Sequence, residues 1–226
     1  MDRKLILGLL SPILVALAIA ILIPGGGTPD PDPKLPWDIR VDAEGHPSVL
    51  GLTLGRSTLR DAQALLREEG EVSLFASPDP HYSVEVYFER LYLSGIRAAL
   101  VLKLDEGRES MEGMFRRGAR IERMDSGSRK VTLRSADIDQ LAGATFRHMT
   151  YIPSANLEPD MIRGRFGEPD RLITEAGGDE GVITHWIYFA KGLDIAHNTQ
   201  GREVFQYVMP TQMEQLIAPL EAAAAE

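Results

Sequence analysis

The chain has 226 residues, 44% of them hydrophobic and 25% charged, which is enough length and apolar content to fold and excludes disorder throughout. A formal charge of −9 and a pI near 5.1 argue against general nucleic-acid binding, which needs a concentrated positive surface. The absence of cysteine excludes disulfides, thiolate nucleophiles, Cys-ligated zinc and lipid attachment through an N-terminal cysteine.

The first element is LILGLLSPILVALAIAILI, Leu5 to Ile23, uncharged throughout and preceded by the basic pair Arg3 and Lys4. As a helix at 1.5 Å per residue it spans roughly 28 Å, about one bilayer core. Two readings compete: an uncleaved transmembrane anchor, or a signal peptide cut after Ala18-Ile19-Ala20. The apolar run continues past that site through Ile21, Leu22 and Ile23, longer than a cleavable segment of roughly 7 to 15 residues, which favours the anchor. Residues 1–24 are therefore expected to cross the inner membrane once. The basic pair then lies in the cytoplasm and the C-terminal domain in the periplasm. Residues 25–36 read as a Pro/Gly linker, and TPDPDPKLP favours an extended polyproline-like spacer. An extended spacer does not converge Asp30 and Asp32 on one ion, so they are expected to be solvated.

Residues 37–105 read as a first helix/β-meander unit. Ile39 and Val41 alternate before a turn at Asp42 to Pro47, and apolar residues return at Val49, Leu50, Leu52 and Leu54, as in a short strand pair. In GRSTLRDAQALLREEGE, Leu59, Ala62, Leu65 and Leu66 share a helical face, Ser57 is placed to cap, and Gly70 to end the helix. YSVEVYFERLYLSGIRAALVLKL predicts two or three antiparallel strands, with a turn at Ser94-Gly95. Residues 106–150 read as a connecting segment: a helix over 106–117, a strand over 129–133, a short helix capped by Ser135, then the strand GATFRHMTYIP.

Residues 151–226 repeat the order as a second unit ending in a C-terminal helix. Asn156 is the expected cap, Pro159 falls in the first turn, and Leu157, Met161, Ile162 and Phe166 face a core. In RFGEPDRLI, Gly167 takes the left-handed end, Pro169 prevents continuation, and Leu172 and Ile173 resume the core. ITHWIYFA, LDIAH and EVFQYVM come next as a three-stranded meander, turning at Lys191-Gly192 and at Asn198 to Gly201. Pairing Gly70 with Gly167 and Gly95 with Gly201 suggests a duplication. The expected class is α+β, with each helix packed on an antiparallel sheet.

These residues carry a resemblance. GLTLGRSTLRDAQALL, with Gly51, Gly55, Ser57 and Leu59, resembles the helix-then-meander module of SmpA/OmlA-type outer-membrane assembly lipoproteins, as does FGEPD with Gly167, Pro169, Trp186, Tyr188 and Gly201. In tandem the module is similar to the secreted β-lactamase inhibitor protein. The chain departs from the family in lacking a lipobox cysteine and in its anchor, so the outer-membrane role does not carry over. The resemblance implies modules that bind other proteins and carry no active site.

The search for chemistry agrees with a non-enzyme. No two histidines have H-x-x-x-H spacing; His46 and His81 fall in turns, and His148, His185 and His197 in strands. G-x-S-x-G, the P-loop pattern, H-E-x-x-H and an EF-hand loop are absent. Asp137 with Asp139, and Asp179 with Glu180, sit where acids more often solvate or start helices than form dyads. No cofactor and no metal are therefore expected. FRRGARIER places Arg116, Arg117, Arg120 and Arg123 together, and arginine outnumbers lysine nineteen to five. These four are the candidate contacts to a partner protein or an anionic surface, against a solvated helix end. The leading expectation is a membrane-anchored, non-catalytic module that binds an envelope protein. The alternatives are a lipid or small-ligand binder, or a hydrolase with a dispersed site.

Overall fold

The computed structural model describes residues 32–78, 81–176 and 181–224. The expected anchor over 5–23 and most of the linker lie outside them. Among the described residues no helix is long and apolar enough to cross a membrane. The chain divides into Met1–Pro33 and Lys34–Glu226, and the strands and helices of the described residues all belong to the second unit.

Three short strands, β1 (Arg40–Val41), β2 (Pro47–Val49) and β3 (Leu52–Thr53), form a small sheet of their own. Ten others make one antiparallel sheet: β4 (Glu71–Ala76), β5 (Tyr82–Leu93), β6 (Ile96–Leu104), β7 (Arg120–Arg123), β8 (Arg129–Thr132), β9 (Phe146–Pro153), β10 (Arg171–Ala176), β11 (Val182–Tyr188), β12 (Leu193–Asn198) and β13 (Val204–Val208). Their spatial order is β10-β11-β12-β13-β9-β6-β5-β4-β8-β7. Five α-helices accompany them among the described residues: α1 (Leu59–Leu66), α2 (Arg108–Arg117), α3 (Ser135–Leu141), α4 (Pro159–Phe166) and α5 (Met213–Ala224). The class is α+β, as expected. Segments 37–105, 106–150 and 151–226 all contribute strands to the large sheet, joined where β9 pairs with β6 on one side and β13 on the other.

Side chains alternate along each strand, so the sheet has two unlike faces. On the first face, Leu74, Val84, Val86, Phe88, Leu100, Leu102, Met149, Tyr151, Trp186, Ile195, Phe205 and Tyr207 are buried together. Helices α1 to α4 add Leu59, Ala62, Leu66, Met114, Leu141, Ile162 and Phe166 to that core. On the second face there is one smaller cluster. Met213 and Ile217 of α5 pack on Ile173, Ile187 and Val208 at the β10–β13 end.

Several local expectations are corrected. The cap of α1 is Thr58, not Ser57: its hydroxyl accepts from the Asp61 amide while the Asp61 carboxylate takes the Thr58 amide, a reciprocal capping box. Ser57 instead accepts from the Thr53 amide in the preceding turn. That helix ends at Arg67 in the left-handed conformation, before Gly70. Gly70 is required for another reason: at φ +71°, a Cβ there would lie 2.7 Å from Val86 Cγ1. Helix α4 is capped at Glu158 rather than Asn156, and α3 at Arg134 rather than Ser135, both without a side-chain bond. Gly167 has positive φ but ψ −172°, a glycine-favoured extended turn rather than the left-handed helical end. Beyond it, Ile173 is buried while Leu172, on the opposite face, is half exposed. The second meander has four strands, β10 to β13, where three were expected, and β7 was not anticipated at all.

Candidate functional site

Cross-strand register lines up residues of the second face into rows perpendicular to the strands. At one end Ala196 stands opposite Val204, and Ile152 opposite Ala99. One row runs Asp194, Gln206, Thr150, Val101, Tyr87, Glu71, and a second runs Val208, His148, Lys103, Glu85, Ser73, Thr132, Arg120. At the β10–β13 end α5 covers these rows. Over β4, β5, β6 and β9, neither core cluster takes in Phe75, Tyr87, Val101 or Ile152. Tyr87 is 41% exposed and Tyr92, on the same face of β5, is 73% exposed. The half of this face without a layer over it among the described residues is therefore mixed, with Phe75, Tyr87, Val101, Ala99 and Ile152 as its apolar and aromatic part among Glu71, Glu85, Lys103 and other polar side chains. Lys130 donates to Glu71 at 2.7 Å and Ser83 to Glu85 at 3.0 Å. A shallow depression of about 210 Å³ lies among Glu71, Ser73, Phe75, Glu85, Tyr87, Val101 and Lys130.

Under the covered end lies a polar chain. His185 Nδ1 is 2.9 Å from Asp194 Oδ2 and its Nε2 is 3.4 Å from Glu175, while the Gln206 amide donates to Asp194 at 3.2 Å. Burial opposes a charge on His185, but the two carboxylates outweigh it and raise its pKa. His148 goes the other way, lowered by burial and by the Lys103 charge. On the first face, His197 Nδ1 lies 3.1 Å from the buried Glu203 carboxylate. Among the described residues no three His, Asp or Glu side chains are arranged to hold a metal ion.

No protein-family model, curated protein or solved structure matches this chain. Its own geometry is what bears on function.

The four candidate arginines lie at the far end of the sheet and do not form one cluster. Arg117, the last residue of α2, gives two donors to Asp137 Oδ1, the Nε bond being 2.8 Å, and so is committed to a carboxylate that is only 4% exposed. Arg120 pairs with Glu122 at 2.9 Å within β7. Arg123 stands opposite Arg129, whose guanidinium stacks 4.6 Å over Phe115, and Arg116 is exposed at the end of α2. β7 itself is exposed along its length as the edge of the sheet. Of the aromatics in the second unit, Trp186 lies in the core with Arg163 stacked 4.9 Å over it, and Tyr188 donates to the Gly167 carbonyl. Sequence reasoning missed Tyr87, Val101, Thr150 and Ile152. Their alternation is visible, but which face is left open depends on α5, more than fifty residues further on.

Proposed function

We propose that this chain is a non-catalytic accessory or assembly module of the cell envelope that binds another protein through the open half of its sheet. The observation that carries the reading is the strip Ile152, Ala99, Val101, Tyr87 on β9, β6 and β5, strands with no covering layer on this face among the described residues. An apolar patch with a tyrosine and charged neighbours is the make-up of a protein interface. The apolar run 5–23 would hold the chain in the inner membrane with this domain in the periplasm. The order of helix then meander occurs twice, as α1 with β4–β6 and as α4 with β10–β13. That repetition supports reading the unit as a duplicated SmpA/OmlA-like module, although the expected pairing of Gly95 with Gly201 is not kept: Gly201 lies between β12 and β13 without a positive φ, and the positive-φ glycine of the β11–β12 connection is Gly192. Arg116 and the β7 edge are a further surface for such a partner.

The test is site-specific photo-crosslinking of the full-length chain in cells, with the crosslinker at positions 87, 101 and 152 and, as references, at 202 and 214. A single partner protein captured from the three sheet positions and not from the references supports the assignment. Capture from the reference positions alone, or Val101→Glu leaving the crosslink at 87 intact, overturns it.

A further inference from the structure

Between the open strip and α5 lies a groove of about 440 Å³, within the range of small-molecule sites. Its floor is Lys103, His148 and Val208, neighbours in one row of the sheet. One wall is α5, through Gln215, Leu216 and Pro219, and the far end carries Asp105 and Arg147. The charges here do not cancel. Arg147 and Asp105 neutralise each other through a 2.8 Å bond from Nε. Lys103 has no carboxylate within ion-pair distance among the described residues; Glu85, opposite it in the register, accepts from Ser83 and lies outside the lining of the groove. The lining of the groove thus presents one cation without an ion-pair partner in that lining, and a neutral-leaning imidazole, next to an apolar wall, on a chain whose formal charge is −9.

We propose that this groove binds a small organic anion bearing an apolar chain, its carboxylate against Lys103 and His148 and its chain along Val208, Leu216 and Pro219. A cationic ligand would face Lys103, with the Asp105 carboxylate already taken by Arg147. A neutral one would strip water from the ammonium without replacing it, an unfavourable burial. An inorganic anion would compensate the lysine but leave the apolar wall in water. The groove adjoins the protein-partner surface without including it: Tyr87 and Val101 do not line it, although Val101 lies two residues from Lys103 on β6.

The experiment titrates the full-length chain in lipid nanodiscs with hexanoate, hexylammonium, 1-hexanol and inorganic phosphate, reading the His148 ring and Lys103 side-chain NMR signals. Hexanoate is expected to shift both signals saturably and to bind at least about tenfold more tightly than the other three, a difference of roughly 1.4 kcal/mol. Lys103→Gln should weaken hexanoate by about tenfold and Lys103→Arg by less than about threefold, with thermal unfolding unchanged. The exposed lip variant Pro219→Glu, which adds a carboxylate without removing a core residue, should weaken it as well. Phosphate binding as tightly as hexanoate would leave only a simple anion site and overturn the proposal. Equal binding of hexylammonium, no saturation by hexanoate, or an unaltered affinity in Lys103→Gln would overturn it too.

Discussion

His185 and Asp194 are paired within the sheet beneath α5, 2.9 Å apart and both almost wholly buried, with Glu175 on the other side of the imidazole. Two acids outweigh burial, so the folded-state pKa of His185 lies above its ordinary value near 6.5. A raised histidine pKa stabilises the fold fully below about pH 6.5, and that contribution is lost as pH rises through the folded value. His148, with its lowered pKa, works in the opposite sense, so the comparison has to be differential. The unfolding midpoint should fall between pH 6 and pH 8 more steeply in the native chain than in His185→Gln. A second check is Asp194→Asn, expected to cost about 1–3 kcal/mol in urea unfolding at pH 6 because it removes the stronger of the two partners from a buried imidazolium.

Arg117 and Arg116 are adjacent in sequence and should behave differently. Removing Arg117 leaves Asp137, 4% exposed, without its charged partner. Arg117→Ala should therefore destabilise by about 2 kcal/mol, while Arg116→Ala stays within roughly 0.5 kcal/mol. Equal and negligible effects in denaturant titration would mean that the ion pair contributes nothing to stability.

Gly118 packs its backbone against β8 so closely that a Cβ would fall 2.3 Å from Val131 Cγ1. Gly118→Ala is expected to cost more than about 2 kcal/mol through this overlap. In a Val131→Ala background the same change should cost at least about 1 kcal/mol less, the coupling expected of residues in contact. Additive effects in the double-mutant cycle would contradict the close approach.

Leu100 and Val101 test the two-faced sheet directly. Leu100 is fully buried in the first-face core, whereas Val101 is half-buried on the open strip. Leu100→Ala should lose about 2–5 kcal/mol and Val101→Ala less than about 1 kcal/mol. Comparable losses would mean that the second face is covered.

Thr58→Ala should lower stability by about 1 kcal/mol through loss of the cap, more than Ser57→Ala does, as thermal unfolding would show. This pair also illustrates what can be read from the chain directly. Two hydroxyl residues in a row both suit a cap, and only Asp61, three residues after Thr58, discriminates between them. The long strands were legible because Val84, Val86 and Phe88, or Ile195 and His197, alternate over a full strand length. β7 was not, since Arg-Ile-Glu-Arg has a single apolar residue and forms its strand by pairing with β8. The partner of Arg117 was hidden for a similar reason, lying twenty residues away on another helix. The open face was the least legible feature. Tyr87 and Val101 follow the same alternation whether or not a helix lies on them, and α5 settles over β10 rather than over β5.

The start of the folded unit is held by its end: Tyr207, near the close of the last strand, donates its hydroxyl to the Pro36 carbonyl at 2.7 Å across 171 positions. The same strand supplies the second neighbour of β9. During synthesis the arm meets its partners in stages: the Lys34 amide can bond the Ser94 hydroxyl and Trp37 can pack on Phe166 first, while the Pro36 carbonyl waits for Tyr207 until nearly the whole chain has emerged. The last strand thus closes the N-terminal arm onto a sheet whose β4–β9 pairings are all made by residues that emerge earlier, and such distant closure should make the final step of folding slow.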